Sequence, residues 1–254
     1  MNKLIIYILI GFLTEMIDGS IGMAYGVSCR TFLRTVAKLP SPIASAVIHI
    51  AEIPSSLASG ISHYKIGNVE KKLLPKLLIP GMIGGVLGAW VLVDLGDRIA
   101  AIIDIYLIVM GIIILRKAIN ASRKGRLSDK LIPPLGFSGG FLDAVGGGGW
   151  GPVVTSTMVA AGEDVKKTIG TVNAAEFLVT IAETTTFAVF ISDFSNYGFI
   201  IMGLIIGGVI AAPIAAKLCS IIPEKVLMGI VGAVIIILNI INLVKDTNMI
   251  LGKC

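Results

Sequence analysis

Charge is what this sequence has little of. Asp, Glu, Lys and Arg make up 15% of its 254 residues, against about a quarter in a soluble domain, and the mean hydropathy is +0.92. A soluble globular domain is thereby excluded, and the chain reads as an integral membrane protein. Cysteine is equally sparse: Cys29, Cys219 and Cys254 are odd in number and far apart, which gives neither a disulfide framework nor a zinc spacing. With two histidines and no H-E-x-x-H, no metal site is expected, and no cofactor is implied. Nucleotide hydrolysis is excluded too, because "GEDVKKT" at Gly162 lacks the second glycine of a phosphate-binding loop. The net charge of +5 implies no nucleic-acid partner, since most lysines and arginines lie in loops beside apolar runs, as orientation in a bilayer requires.

Apolar runs are abundant. Windows of roughly 20 residues give about eight hydrophobic segments, near 4–28, 41–62, 76–94, 98–116, 131–161, 168–192, 196–216 and 225–244. No A-x-A cleavage site follows the first run, so it is expected to be retained. The expected architecture is all-α and polytopic.

The sequence also resembles itself. A shift of 125 residues lays "GFLTEMIDGSIGMAYG", from Gly11, over "GFSGGFLDAVGGGGWG", from Gly136. With small gaps, "HIAE" at His49 meets "NAAE" at Asn173, and "GGVLGA" at Gly84 meets "GGVIAA" at Gly207. Three matched blocks in one order predict an internal duplication: a first transmembrane repeat over 1–118, a basic cytoplasmic linker over 119–130, a second repeat over 131–246 and a short tail over 247–254. Duplicated halves are the usual build of secondary transporters, whose substrate sites lie at the repeat interface near the bilayer midplane.

Four consecutive glycines, Gly146 to Gly149, fall where a membrane helix is expected. The 32 residues from Leu131 to Gly162 would extend about 48 Å as one straight helix, beyond a hydrocarbon core of about 30 Å. A break at the glycines is predicted, and its freed backbone groups must face protein or a hydrated cavity. A half-helix beginning near Trp150 and Pro152 would aim N–H groups and a partial positive charge inward, where a small oxyanion could accept from them. The matched stretch Asp18 to Gly26 predicts a second break. Length favours re-entrant hairpins and inverted halves over long kinked spans. The expected binding elements are the backbone at Gly22, Met23, Gly26, Gly147, Gly148, Gly149, Trp150 and Gly151, with Ser28, Thr155, Ser156 and Asn173 as side-chain donors.

Charged residues inside membrane segments are costly and usually functional. Ser45, His49, Glu52, Ser56 and Ser59 recur at helical steps along one face, as do Asn173, Glu176, Thr180 and Glu183. Both stripes are expected to face the bundle interior. Glu52 and Glu176 match in the duplication and are candidate proton carriers, with His49 one turn from Glu52 able to share the proton; a structural role, hydrogen-bonding freed backbone N–H groups, is the other reading. Asp18 and Asp143 precede the two glycine breaks and are expected to cap them. Ser138 in "GFSG" is a poor nucleophile candidate, because both histidines lie in the other half.

"GFLTEMIDGSIGMAYGVS", "SAVIHIAE", "SGISHYKIGNV", "LLIPGMIGGVLGAW" and "GFLDAVGGGGWGPVVTSTMVAAGEDVKKTIGTVNAAEF" together resemble the sulfite exporter TauE/SafE family of membrane transporters, across about residues 5–245. The resemblance implies a multi-pass inner-membrane permease that moves a small inorganic or organic sulfur oxyanion, such as sulfite or an organosulfonate, outward. Met23 and Ala24 stand where more glycine is expected in the first motif. Joined to the residue-level reading, this predicts a proton-coupled secondary transporter and no enzyme. An anion channel and a membrane-embedded enzyme are the alternatives of other classes.

Overall fold

The computed structural model describes residues 3–23, 25–95, 100–119, 126–191 and 194–219, with scattered positions between 223 and 244. The expected last segment at 225–244, the tail and half of the linker therefore fall outside, or largely outside, the described residues. Ala24 does so too. Among the described residues every regular element is helical.

The chain runs through α1 (Lys3–Ile21), α2 (Tyr25–Phe32, continued by a wide turn at Leu33–Ala37), α3 (Ser41–Ile66), α4 (Leu74–Leu95), α5 (Ala100–Ile119), α6 (Ile132–Gly146), a wide turn at Gly151–Thr155 leading into α7 (Ser156–Ala161), α8 (Val165–Phe190) and α9 (Gly198–Leu218). Local chemistry sets several of these ends. Pro42 in the first turn of α3 needs no intrahelical N–H partner there, and Gly67 closes that helix in the left-handed region at φ +82°. Asp164 starts α8 by accepting from the Lys167 amide.

Three helical stretches, Leu4–Ile21, Leu74–Leu95 and Ser195–Leu218, are long and apolar enough to cross a bilayer. The sequence reading of eight counts differently for a physical reason. Helices α3 and α8 have 26 residues each, about 39 Å, but each carries a polar stripe. Helices α6, α2 and α7 are the pieces of runs that the breaks cut short. Large apolar side chains such as Ile79 (60% exposed), Ile102 (65%), Val189 (74%) and Phe199 (75%) point outward, far more greasy surface than a water-soluble monomer presents.

Helix α1 packs along α9, α6 along α4, and α3 crosses α8 at the centre. Small residues allow this closeness: a side chain at Gly84 would overlap the Phe137 carbonyl of α6, and one at Gly207 would meet the α1 backbone at Ile8 and Phe12. Outside the bundle, Lys76 donates to Asp129 at 2.7 Å. That bond and the ammonium charge hold the exposed Asp129 carboxyl below its usual range.

Candidate functional site

Helix α1 stops at Ile21 because Gly22 takes φ +68°, and α6 stops at Gly146 because Gly147 takes φ +63°. After each stop the chain turns back on itself. Thr14 of α1 meets Cys29 of α2, Sγ to Oγ1 at 3.3 Å, and a side chain at Gly139 of α6 would press on Val154. Either pair is 15 residues apart, about 22 Å along an unbroken helix, so both segments are hairpins. The bonds recur at one shift as well. The Gly22 amide donates to Asp18 O and the Tyr25 amide to Asp18 Oδ1; 125 residues on, Gly147 donates to Asp143 O and Trp150 to Asp143 Oδ1.

The two hairpin tips meet. A side chain at Gly26 would overlap the Gly147 carbonyl, one at Gly148 the Val27 amide, and one at Gly151 would lie 2.6 Å from Gly22 O. Thr155 donates across the junction to Gly22 O at 2.6 Å, and Arg30 Nη1 donates to Gly146 O at 2.7 Å and Val145 O at 3.2 Å. The guanidinium thus sits on the negative end of α6. Arg30 is fully buried and was missed by a reading that followed only acidic intramembrane residues. The signal for it was the first arginine after the glycine motif, at the end of the first apolar run.

Around the junction six carboxyl groups are buried: Glu15, Asp18, Glu52, Asp143, Glu176 and Glu183. Both stripes face inward, as their spacing predicts; none of Ser45, His49, Glu52, Ser56, Ser59, Asn173, Glu176, Thr180 or Glu183 exceeds 5% exposure. Where α3 and α8 cross, Ser59 donates to Asn173 Oδ1 at 2.7 Å. One turn beyond Glu52, His49 Nδ1 is hydrogen-bonded to Glu52 Oε2 at 3.2 Å and lies the same distance from Glu183 Oε2. The imidazole stacks on Phe187, centroids 5.8 Å apart.

Residues 7–241 match the family described as sulfite exporter TauE/SafE. The chain belongs to the TauE/SafE family. It is also 38% identical, over 97% of its own length and 84% of the relative's, to the "Probable membrane transporter protein YtnM" of Bacillus subtilis (strain 168). No solved structure matches the chain. Family and helices together make it a multi-pass membrane protein of a transporter family.

The helix break was expected to offer amide donors to an anion and to be capped by Asp143, and in the structure those amides have Asp143 as an internal acceptor. The amides of Gly149 and Trp150 both reach Asp143 Oδ1, at 2.7 and 3.1 Å, and Gly148 donates to Asp143 O. The reason is proximity: an aspartate at the end of the broken helix lies within reach of the turn that follows, and its carboxylate satisfies orphan amides better than a distant ligand can. Trp150 packs as core, its indole N–H donating to Val172 O at 3.1 Å, and Met23 is fully buried among apolar neighbours. Thr155 and Asn173 are engaged internally, Asn173 through Nδ2 to Ile169 O. Ser28 is buried in α2, while the Ser156 side chain lies outside what is described. Against the expectation of no metal, His49, Asp143 and Glu183 bring one ligand atom each within 4.8 Å of one another.

Proposed function

We propose that the chain is a secondary transporter, an exporter of a small sulfur-containing oxyanion such as sulfite or an organosulfonate, working by alternating access and coupled to protons at a cell membrane. One observation carries the reading: two re-entrant hairpins meet tip to tip, and a single carboxylate oxygen, Asp143 Oδ1, holds two backbone amides at one tip. A carboxylate on paired amides occupies the position a substrate oxyanion would take. The transported anion displaces it, and a proton taken up by the surrounding acids offsets the charge brought in. Glu52, with His49 as its partner, and Glu176, buried in α8, are the proton carriers. The repeated halves supply the two-sided symmetry that alternating access uses.

Purified protein in proteoliposomes tests this. Saturable sulfite or sulfonate flux that responds to an imposed pH gradient is expected. Glu176→Gln keeps anion binding and loses the pH-driven component by at least tenfold. Conductance indifferent to the gradient would make the chain a channel, and hydrolysis products without flux would make it an enzyme.

A further inference from the structure

The polar centre holds buried polar atoms to which the anion reading gives no partner. Asp143 spends only one oxygen on the break, and its Oδ2 is buried without a hydrogen-bond partner. Glu183, fully buried in α8, has neither oxygen in a hydrogen bond, although His49 Nδ1 lies 3.2 Å from its Oε2. His49 Nε2 and the nearby Thr180 hydroxyl are likewise unpartnered and buried. Buried polar atoms are nearly always satisfied, and a cluster that is not points to a ligand. Its sign follows from the surroundings: among the described residues six buried carboxyl groups face one buried guanidinium, that of Arg30.

We infer that His49, Asp143 and Glu183 form a site for a divalent first-row transition-metal cation at the root of the second hairpin. An imidazole nitrogen with two carboxylates suits manganese- or zinc-class ions, whereas sodium, magnesium and calcium prefer oxygen alone. With the ion on the unpartnered His49 Nε2, the Nδ1–H bonded to Glu52 Oε2 gives the ring the outer carboxylate partner of a metal-binding histidine. Bonds of about 2.1 Å separate tetrahedral ligands by roughly 3.4 Å, so the ion draws the three groups inward from their present spread of 4.8 Å. Because Asp143 also holds the Gly149 and Trp150 amides, an ion on Oδ2 ties the cation to the shape of the break.

The experiment needs no flux and is independent of the anion reading. Full-length protein purified with a histidine-free tag, stripped by chelator, is titrated with manganese and with zinc chloride by calorimetry and, for manganese, by electron paramagnetic resonance. About one ion per chain is expected, with a raised thermal midpoint. Glu183→Gln weakens binding at least tenfold, and Glu52→Gln, which removes no ligand, weakens it about tenfold to a hundredfold. Size exclusion confirms that both variants are folded; should Glu183→Gln not fold, Glu52→Gln decides alone. No saturable binding, as for a proton shared between Asp143 and Glu183, overturns the inference. So does unchanged affinity in the folded variants, or equal loss in Asp129→Asn, which would place the ion at the surface.

Discussion

At Asp143 one oxygen accepts from two buried amides, and at Asp18 the corresponding oxygen accepts from one. Removing an acceptor leaves each buried donor orphaned at about 1–3 kcal/mol. Asp143→Ala is therefore expected to destabilise the protein by about 2–5 kcal/mol and Asp18→Ala by about half that, with Asp143→Asn milder than either because an amide oxygen still accepts. Unfolding in detergent ranks them, and equal losses at the two aspartates would contradict the assignment. Two glycines give a similar contrast. Gly67 has φ +82° and open space, nothing within 4 Å, where a side chain would stand, whereas Gly148 has φ +148° and abuts the Val27 amide. Gly67→Ala should cost about 1 kcal/mol from backbone strain alone. Gly148→Ala adds a backbone collision that cannot relax without separating the hairpin tips, and should abolish monodisperse protein on size exclusion.

Among the elements, the hairpins depend on each other, because α2 carries the cation that finishes α6. Replacing Arg30 by methionine keeps the bulk and removes the donors to Val145 O, Gly146 O and Ser41. The expected loss is about 3 kcal/mol or more, since hydrogen bonds from charged donors contribute about 1.5–3 kcal/mol each; a thermal midpoint equal to that of wild type would show that the tips hold together without it. Helix periodicity had already made much of this legible. The stripes on α3 and α8 follow from spacing because a buried face repeats every three or four residues, and the interruption at Gly147 follows from four glycines in an overlong apolar run. Partnerships across elements were not legible. The capping aspartates were legible from their place before the glycines, but nothing in one dimension says that His49 lies beside Glu183. That depends on how α3 and α8 cross. The two segment counts differ because hydropathy windows count runs, while the broken runs are hairpins and two long helices carry their polarity inside.

Taken whole, the molecule has closed over its own polar centre. Among the described residues Asp18, Ser28, Glu52, Asp143 and Glu176 are at most 5% exposed, so neither an anion nor a proton reaches the hairpin tips without a rearrangement. Across the tips run the bonds from Thr155 to Gly22 O and from Arg30 to the end of α6. The packed pairs α1 with α9 and α6 with α4 are instead held by glycine-lined contacts along their length. Transport as proposed therefore requires that the hairpins move apart from the surrounding helices to open this centre. Ser28→Cys in a chain whose own cysteines are changed to serine reports on this directly. Ser28 lies in α2 between the tip glycine Gly26 and Arg30, and a thiol there is shielded in the closed form. A membrane-impermeant maleimide should label it slowly at rest, and at least several-fold faster when sulfite or a pH gradient drives turnover. Fast labelling at rest would mean that the centre stands open to water, and a rate indifferent to substrate and gradient would mean that the hairpins do not move during transport.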